Sequence, residues 1–527
     1  MRRATFGVTL RAVGAVGLLF TAACDDTIRF VDREPFNPPP DAVAGFLGYY
    51  DAADGFTTCG NCHADEQASW AETHHAEAWE TLQASGSAQA FCEPCHTVSE
   101  NGNSTTGVVG YPALVVDQAA PPDSAVLAVY HDVQCESCHG PGNDHVLTPS
   151  AVQPLASAAV GVALTNGCGE CHSGAHHPFV EQWEASAHGT GGSFTYAGGI
   201  PSCNQCHSAQ GALVEQFSED VEYLEKDGTP LPVTCIVCHD PHSDTYDAQL
   251  RAPLSGFLTN NLCIKCHNRR TVPSDGFRGP HAAQGPLVLG QAIAWWPPGF
   301  SWLEGLTASH GDPDVNPRLC GTCHVEMFEI TDPATGDFVF QSVGHLFEAI
   351  PCVDAEGIPV GGTCTNDQRR FDACAGCHGS AAAGRAIFES FQAELDLLLM
   401  QMWTDTDSDG VLETTDTGIL PQIIALRGGK ELDRTDTLFT FAEGALYNAQ
   451  IAATHTQDQV LDGRVVVAPG DTARFNGHFT SGNGVHNPPF LEALLKASIQ
   501  GAADYYGIVL PAELDLTLPQ LAEARRP

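Results

Sequence analysis

The pattern C-x-x-C-H occurs nine times in this 527-residue chain and uses 18 of its 21 cysteines. Two thiols at this spacing can bond to the vinyl groups of a haem, and the following histidine can bind one face of the iron. Zinc ribbons and disulfide frameworks also pair cysteines, but neither requires a histidine directly after every pair. The sequence therefore predicts nine covalently bound haem c groups. The motifs, numbered 1 to 9 along the chain, are Cys59/Cys62/His63, Cys92/Cys95/His96, Cys135/Cys138/His139, Cys168/Cys171/His172, Cys203/Cys206/His207, Cys235/Cys238/His239, Cys263/Cys266/His267, Cys320/Cys323/His324 and Cys374/Cys377/His378.

The chain between the motifs predicts a mainly α fold with extensive coil, organised around the covalently bound haems. Gly (53 residues) and Pro (34 residues) are abundant, which predicts irregular backbone. The first cysteines of motifs 1 to 7 lie 28 to 43 residues apart, and the last two intervals are 57 and 54 residues. A period near 35 residues is typical of an array whose units stack on one another.

The change of spacing and the composition divide the chain into five parts. Short helices are expected between the motifs, and longer ones after motif 9, including one over 512–525. Strand signals are few, with Val465-Val466-Val467 as one example. The parts are a signal peptide (1–23), an acidic and proline-rich tether (24–56), a seven-haem array (57–290), a two-haem region (291–380) and a helical C-terminal region (381–527), which could be a separate domain or a clasp on the haems.

The amino end predicts export. Met1-Arg2-Arg3 precedes an apolar stretch that is too short and too charged for a spanning helix, which is the pattern of a secretory signal. Cys24 follows the apolar stretch as in a bacterial lipobox, so lipidation of Cys24 is expected, with ordinary cleavage after Ala23 as the alternative. The protein would then be periplasmic or attached to the outer membrane by a lipid anchor.

The net charge narrows the class of partner. The formal charge is −41, from 64 acidic and 23 basic residues. Such a chain repels nucleic acid and anionic lipid surfaces. Redox partner proteins that are cationic or linked to quinols, metal ions and oxide surfaces are the expected neighbours.

Each motif supplies one axial ligand, so the second ligand of each iron must come from elsewhere. The chain has four Met, including the initiator, whereas 14 histidines lie outside the motifs. His74 against His75 and His176 against His177 are open choices, and His131, His455 and His478 are reserves. The favoured distal ligands are His75, His145, His177, His188, His242, His281, His310, His345 and His486.

Iron with two histidine ligands has no open coordination site, which suits electron transfer. A terminal reductase or oxidase of small nitrogen or sulfur compounds, or of metal ions, is the alternative, and it would need one open haem. No motif has the C-x-x-C-K form that marks some catalytic multihaem reductases, and the chain has four lysines. We therefore predict an electron-transfer protein rather than an enzyme. A third possibility is a structural protein whose haems only fill its core.

Two further sites are expected. Cys352 and Cys364 remain outside the motifs, and an oxidising compartment favours a disulfide between them. A second metal signal has acidic residues at positions 1, 3, 5, 9 and 12 and Gly at position 6, as in a twelve-residue calcium loop. Its acidic residues are Asp405, Asp407, Asp409, Glu413 and Asp416. A solvated acidic turn is the alternative, and Pro421 is expected to disturb the helix that should follow.

Three segments resemble the cytochrome c554-like multihaem family. They are Cys59-Gly60-Asn61-Cys62-His63 with Trp70, Thr73 and His75-Ala76; Cys135 to His145; and Cys168 to His172 with His176-His177-Pro178, Trp183 and His188. Gly484-Val485-His486-Asn487-Pro488 followed by Phe490, Ala493 and Leu494 is similar to a C-terminal helix of the wider family, which includes octahaem and pentahaem enzymes.

This resemblance covers residues 57–190 well and the remainder loosely. It implies close-stacked haem pairs, mainly bis-histidine ligation and electron transfer. Family members with few haems are soluble carriers, so nine motifs and a lipid anchor are departures that leave the partner open.

Overall fold

The computed structural model describes most of the chain after residue 44. The described residues are 45–98, 125–160, 167–219, 225, 228–256, 260–273, 279–302, 307–433, 439–454, 462–468, 470–476 and 480–519. The predicted signal peptide, Cys24, most of the predicted tether, His455 and His478 lie outside these residues. The last part of the predicted tether, residues 45–56, is packed into the fold: the Phe46 and Leu47 side chains are buried.

The fold is mainly α-helical with extensive coil, as predicted. Helices in the first 380 residues are short because the motifs form single turns and Gly and Pro interrupt the segments between them. These helices are α1 (Ala64–Trp70), α2 (Ala78–Ala84), α3 (Ala125–Ala128), α4 (Cys135–His139), α5 (Asn143–Leu147), α6 (Phe179–Ala185), α7 (Gly192–Ala197), α8 (Asn204–His207), α9 (Ala209–Phe217), α10 (Cys235–Cys238), α11 (Gln284–Leu289), α12 (Cys320–His324) and α13 (Asp372–His378).

Longer helices follow motif 9. Helix α14 (Ala381–Met402) begins at Ser380, whose hydroxyl accepts a hydrogen bond from the Ala383 N–H and so caps the helix. Helix α16 (Phe441–Ala452) begins with a capping box in which the Thr440 and Glu443 side chains bond each other's backbone N–H groups. The remaining helices are α15 (Ile419–Arg427) and α17 (Pro488–Tyr506).

The strands form small separate sheets. Three antiparallel pairs are β1 (Tyr49–Asp51) with β2 (Phe56–Thr57), β3 (Phe328–Thr331) with β4 (Phe338–Ser342), and β5 (Cys352–Val353) with β6 (Pro359–Val360). In the fourth sheet, β7 (Val411–Leu412) pairs in parallel with β8 (Asp462–Ala468), which pairs antiparallel with β9 (Asp471–Asn476).

The hydrophobic core lies in the second half of the chain. The largest cluster contains 35 buried residues, all after residue 282, and helices α14, α16 and α17 supply much of it. Asn448 ties this cluster to the segment after α11, because its side chain bonds both the N–H and the carbonyl of Trp295. The three other clusters together contain 11 buried residues, between 46 and 319. The motif-rich half therefore has little side-chain core of its own.

Two helix predictions were wrong. Helix α17 ends at Gly507, whose φ is +71°, and the described part of 512–525 is not helical. Pro511 and Pro519 flank this segment and disfavour a helix. Conversely, α15 does form after the acidic loop, because Pro421 lies in its first turn, where a missing N–H costs nothing.

In the described part of the chain, we find no helix with the length and apolar character needed to cross a membrane.

Candidate haem-binding sites

Eight of the nine motif histidines face a second histidine across a gap of similar width. The distances between ring centroids are 6.3 Å for His63 and His145, 5.9 Å for His139 and His242, 6.2 Å for His172 and His75, 6.1 Å for His207 and His281, 6.3 Å for His239 and His345, 6.2 Å for His267 and His188, 6.2 Å for His324 and His486, and 6.0 Å for His378 and His310.

This separation has a simple geometric meaning. An imidazole nitrogen lies about 2 Å from a metal it binds and its ring centroid about 1 Å further out, so two imidazoles on opposite sides of one ion have centroids about 6 Å apart. The eight separations, from 5.9 to 6.3 Å, all lie at this value.

The ninth motif histidine, His96, lies near His177. Burial lowers the pKa of His177 first, and the neighbouring His176 and His96 lower it further. Each of the nine favoured distal histidines is thus placed beside a different motif histidine. The partner comes from a distant part of the chain in most cases, as for His75 with motif 4 and His242 with motif 3.

Backbone carbonyls fix the rotation of many of these rings. A carbonyl oxygen can only accept a hydrogen bond, so the facing Nδ1 must carry the proton and Nε2 keeps a free lone pair. Nδ1 donates to a carbonyl in four motif histidines, at 2.8 Å for His96, 2.5 Å for His139, 2.8 Å for His239 and 2.7 Å for His324. It does so in four distal histidines, at 2.7 Å for His145, 2.6 Å for His310, 2.9 Å for His345 and 2.7 Å for His486.

The electrostatic environment favours neutral imidazoles. Burial, to which neighbouring histidines add, lowers the pKa of His188 to about 3 and those of His172 and His486 to about 4. Neutral imidazole is the form that binds a metal. At neutral pH these rings therefore need no proton loss before binding.

The thiol of Cys377, in motif 9, is less enclosed than most of the other motif thiols. Fifteen of the 18 motif cysteines are half-buried, and the exposed ones are Cys62, Cys138 and Cys377. Helix α13, which carries Cys377, has no buried residue. Its thiols nevertheless lie near motif 8, because burial first, and then Cys374 and Cys377, raise the pKa of Cys323 to about 12. A thioether bond requires the sulfur at the haem edge and not its burial, so the assignment of Cys377 rests on the motif spacing and on the pairing of His378 with His310.

A short repeat places two of the distal histidines. Trp70-Ala71-Glu72-Thr73-His74-His75 and Trp183-Glu184-Ala185-Ser186-Ala187-His188 share the pattern W-x-x-[ST]-x-H. The Thr73 and Ser186 hydroxyls donate to the carbonyls of Trp70 and Trp183, at 2.8 and 2.7 Å. Each indole Nε1 donates to the carbonyl two residues before the first cysteine of another motif, Val133 for motif 3 and Val233 for motif 6. This signal, had it been used, would have separated His75 from His74 in the sequence.

The histidines not favoured in the sequence lie elsewhere. The His74 side chain is exposed. The His176 ring stacks on Phe338 with centroids 4.4 Å apart, and the His131 ring stacks on Trp79 at 3.9 Å. None of these three rings has a motif histidine as the partner of its stacking contact.

The C-terminal helices contribute directly to motifs 8 and 9. His486 immediately precedes α17 and faces His324, while the Val485 carbonyl accepts the hydrogen bond from His310 Nδ1. Gly482 has a φ of +57°, and a Cβ there would lie 2.8 Å from the His486 ring. Only glycine satisfies both the backbone conformation and this close approach.

Glu136, inside motif 3, is a buried carboxylate that binds the start of the described chain. Its two oxygens accept the backbone N–H groups of Leu47, Gly48 and Gly142 at 2.7 to 3.0 Å. Burial raises the pKa of Glu136 to about 7, against the opposing effect of these three donors. The residue thus ties motif 3 to β1.

We expect Glu136→Gln to destabilise the folded protein by about 1 to 3 kcal/mol, because an amide has one acceptor oxygen and leaves a buried N–H facing its NH2 group. The raised pKa means that the folded protein retains a proton that the unfolded chain has lost. The contribution of Glu136 to stability is therefore present at low pH and is lost as the pH rises to about 7.

Urea unfolding at several pH values measures both effects. Glu181→Gln is the matched control, since Glu181 is exposed and accepts one N–H, from Gly174. An equal loss of stability in the two variants would contradict the role given to Glu136.

The two cysteines left over in the second half are bonded to each other. Cys352 and Cys364 form a disulfide with an S–S distance of 2.09 Å. Cys352 begins β5, and the carbonyl of Pro351 just before it accepts the Arg370 N–H. The disulfide therefore closes the loop that leads into motif 9.

The acidic loop gathers part of the predicted calcium ligand set. Asp405, Asp407 and Asp416 each place a carboxylate oxygen within 4.8 Å of the others. Asp409 and Glu413 do not belong to this group. The Asp416 carboxylate accepts hydrogen bonds from the Trp403 indole and from the Thr406 N–H, which closes the two ends of the loop on each other.

The residues at the motifs fit haem c. Each motif offers two free thiols, and at eight motifs two imidazoles stand at the distance that one iron requires. Where a carbonyl fixes Nδ1, the unprotonated Nε2 is the atom left for the metal. Carbonyl anchors of this kind are the outer ligand shell that orients metal-binding histidines.

Comparisons with known proteins give the same assignment. The model of the family "Cytochrome c554 and c-prime" matches residues 58–140, and that of the family "Doubled CXXCH motif" matches residues 229–271. The multihaem cytochrome MtrA of Shewanella baltica is 25% identical over 161 residues, which are 27% of this chain and 44% of that protein, so the match spans less than half of the relative.

One solved structure, the outer cell wall cytochrome OcwA, aligns over 87% of this chain and 100% of its own with 16% sequence identity. The TM-score is 0.46, which does not by itself establish a common fold.

Proposed function

We propose that this chain, a multihaem c-type cytochrome, carries nine haems with two histidine ligands each and passes electrons along them between partners outside the cytoplasm. The eight histidine pairs support this proposal most directly, because paired imidazoles leave iron no site for a substrate. Haem c supplies a reversible one-electron couple. The protein's own residues hold the iron from both sides, fix the rings and exclude water.

Charge supports cationic electron partners. Between Arg33 and Lys226 the chain contains no Lys or Arg but 24 Asp and Glu residues, and motifs 1 to 5 lie in this stretch. A surface of one sign speeds association with the opposite sign, and salt screens the effect. Cationic redox proteins and metal cations are therefore the proposed partners of this half, and quinol-linked donors remain candidates on chemical grounds.

Electron exchange with small acceptors tests this function. The reduced protein is mixed rapidly with a cationic metal complex and, separately, with an anionic one, at increasing ionic strength. We expect full reoxidation, a rate with the cation that falls as salt rises and a rate with the anion that rises. Failure to exchange electrons with either would favour the structural role, and multiple turnover of nitrite, hydroxylamine or tetrathionate would establish the reductase instead.

The proposed location is the periplasm or the outer membrane, through a lipid on Cys24. The support is the sequence of the amino end, with its basic residues, apolar stretch and cysteine. The mass of the mature amino-terminal peptide tests this proposal, since acylation adds a discrete increment. A peptide that begins at Cys24 without acyl chains would instead indicate ordinary cleavage after Ala23.

A structural calcium ion in the acidic loop is the second part of the proposal. The donor set suits a hard cation, since Asp405, Asp407 and Asp416 converge. Calcium at about 100 times its dissociation constant would stabilise the fold by about 3 kcal/mol. We expect chelation to lower the melting temperature of the wild type and not that of Asp405→Asn.

Glu413→Gln is the control for this measurement, because Glu413 does not converge with the other carboxylates. A chelator effect that persists in Asp405→Asn would place the ion elsewhere or remove it from the loop.

A further inference from the structure

The cysteines of different motifs touch in a definite order. Thiols from two motifs hydrogen-bond each other in five cases, which are Cys59 with Cys135, Cys95 with Cys171, Cys168 with Cys235, Cys206 with Cys266, and Cys263 with Cys320. Three further pairs interact electrostatically, namely Cys138 with Cys168, Cys238 with Cys263, and Cys323 with Cys374. These eight contacts connect all nine motifs.

The resulting order contains the same three-motif unit twice. Motif 1 touches motif 3, motif 3 touches motif 4, and motif 2 joins at motif 4. In the same way motif 4 touches motif 6, motif 6 touches motif 7, and motif 5 joins at motif 7. The two W-x-x-[ST]-x-H segments follow motifs 1 and 4 and so begin the two units. Motifs 8 and 9 continue from motif 7.

Aromatic rings cross the junction at motif 6. Phe179 packs edge-on against His172 of motif 4 and against His345, with centroids 5.4 and 4.9 Å apart. On the other side, Phe347 contacts His345 at 5.3 Å and His188 at 4.6 Å. His345 faces the histidine of motif 6 and His188 that of motif 7. The rings thus run without interruption from motif 4 through the distal side of motif 6 to motif 7.

We propose that the nine motifs form a branched path, with motifs 1, 3, 4, 6, 7, 8 and 9 in line and motifs 2 and 5 as side branches, and that motif 6 with His345 is the single junction between the two groups. Within the described part of the chain, the contacts above join motifs 1 to 4 to motifs 5 and 7 to 9 only through motif 6. This inference rests on the proposed electron-transfer function.

A branched path has four ends, at motifs 1, 2, 5 and 9, where a linear one has two. Each step moves one electron, which oxidises ferrous iron at one motif and reduces ferric iron at the next, with no bond made or broken. Electrons can therefore enter or leave at motif 2 or 5 without interrupting passage along the line. Blocking motif 6 should separate the two groups, whereas blocking motif 2 should not.

The experiment injects electrons near motif 1 and detects them at motif 9. A ruthenium photosensitiser is attached to Ala53→Cys, in the exposed turn before motif 1, with a sacrificial amine donor as the reductant. His310→Met gives motif 9 a methionine ligand, which raises its potential and gives ferric iron a distinct absorption band. His345→Ala opens motif 6 in one sample, and His177→Ala opens motif 2 in the matched control. Carbon monoxide then holds the opened iron in the ferrous state, and the spectrum of its complex verifies the site.

With carbon monoxide, we expect reduction at motif 9 to slow by about tenfold or more in His345→Ala and to stay unchanged in His177→Ala. Unchanged passage in His345→Ala, or a block in His177→Ala, would overturn the branched order. No passage in any sample without carbon monoxide would instead overturn the proposed function. If His345→Ala does not accumulate, His345→Gly matured with added imidazole replaces it, and the imidazole is removed before the measurement.

Discussion

Without covalent haem attachment, residues 45–282 should remain unfolded. The three side-chain clusters outside the main core together hold 11 buried residues, too few to offset the backbone entropy lost by ordering more than 200 residues. Haem is the apolar mass that the motif turns enclose. The chain made in a compartment where haem is not attached should therefore lack amide protection in this half.

The C-terminal core behaves as an internal control in the same experiment. Its 35 buried residues come from α14 to α17 and from the segment around Leu287 and Trp302. We expect amides of α16 and α17 to keep measurable protection in the haem-free chain. Hydrogen exchange resolved by peptide checks both halves at once. Equal protection of the motif-rich half with and without haem would show that side chains alone hold it.

Replacing His75 with alanine should convert one haem to a high-spin form that binds carbon monoxide, while His74→Ala should change nothing in the spectrum. His75 faces His172 of motif 4 across 6.2 Å, whereas the His74 side chain is exposed. Removing a ligand opens one coordination position on one iron, and the other irons remain saturated. The two variants differ by one position in the chain, so a general loss of stability cannot account for a difference between them.

The second pair of neighbouring histidines repeats the comparison. His177 lies near His96 of motif 2, and His176 stacks on Phe338. We expect His177→Ala to bind carbon monoxide and His176→Ala to retain the wild-type spectrum. Absorption and magnetic circular dichroism spectra check all four variants. High-spin haem in His74→Ala or His176→Ala would reverse the assignment of that pair.

The sequence was informative where chemistry imposes residue types. The motifs require two thiols and an imidazole at fixed spacing, and the same demand for second ligands led to the nine favoured histidines. Which motif each of them faces was out of reach, because the partner is set by folding over long distances. His242 follows motif 6 and faces His139 of motif 3, and His345 follows motif 8 and faces His239 of motif 6. Periodicity along the chain carries no information on such pairings.

The helix errors have local causes. The apolar and charged residues after Tyr506 suggested a further helix, but the left-handed Gly507 ends α17 and the prolines on either side keep the following segment extended. Pro421 was read as a helix breaker although it lies in the first turn of α15, a position that suits proline. Position within the helix, which the sequence leaves uncertain by several residues, decided both cases.

Electron paramagnetic resonance of the fully oxidised protein, with spins counted against total haem, tests the central claim most directly. Two histidine ligands on every iron predict low-spin ferric signals that account for nine haems per chain, with no high-spin signal. A high-spin population approaching one haem per chain, or fewer than nine haems, would contradict the account. The first result would reveal an iron open to substrate, and the second a motif that carries no haem.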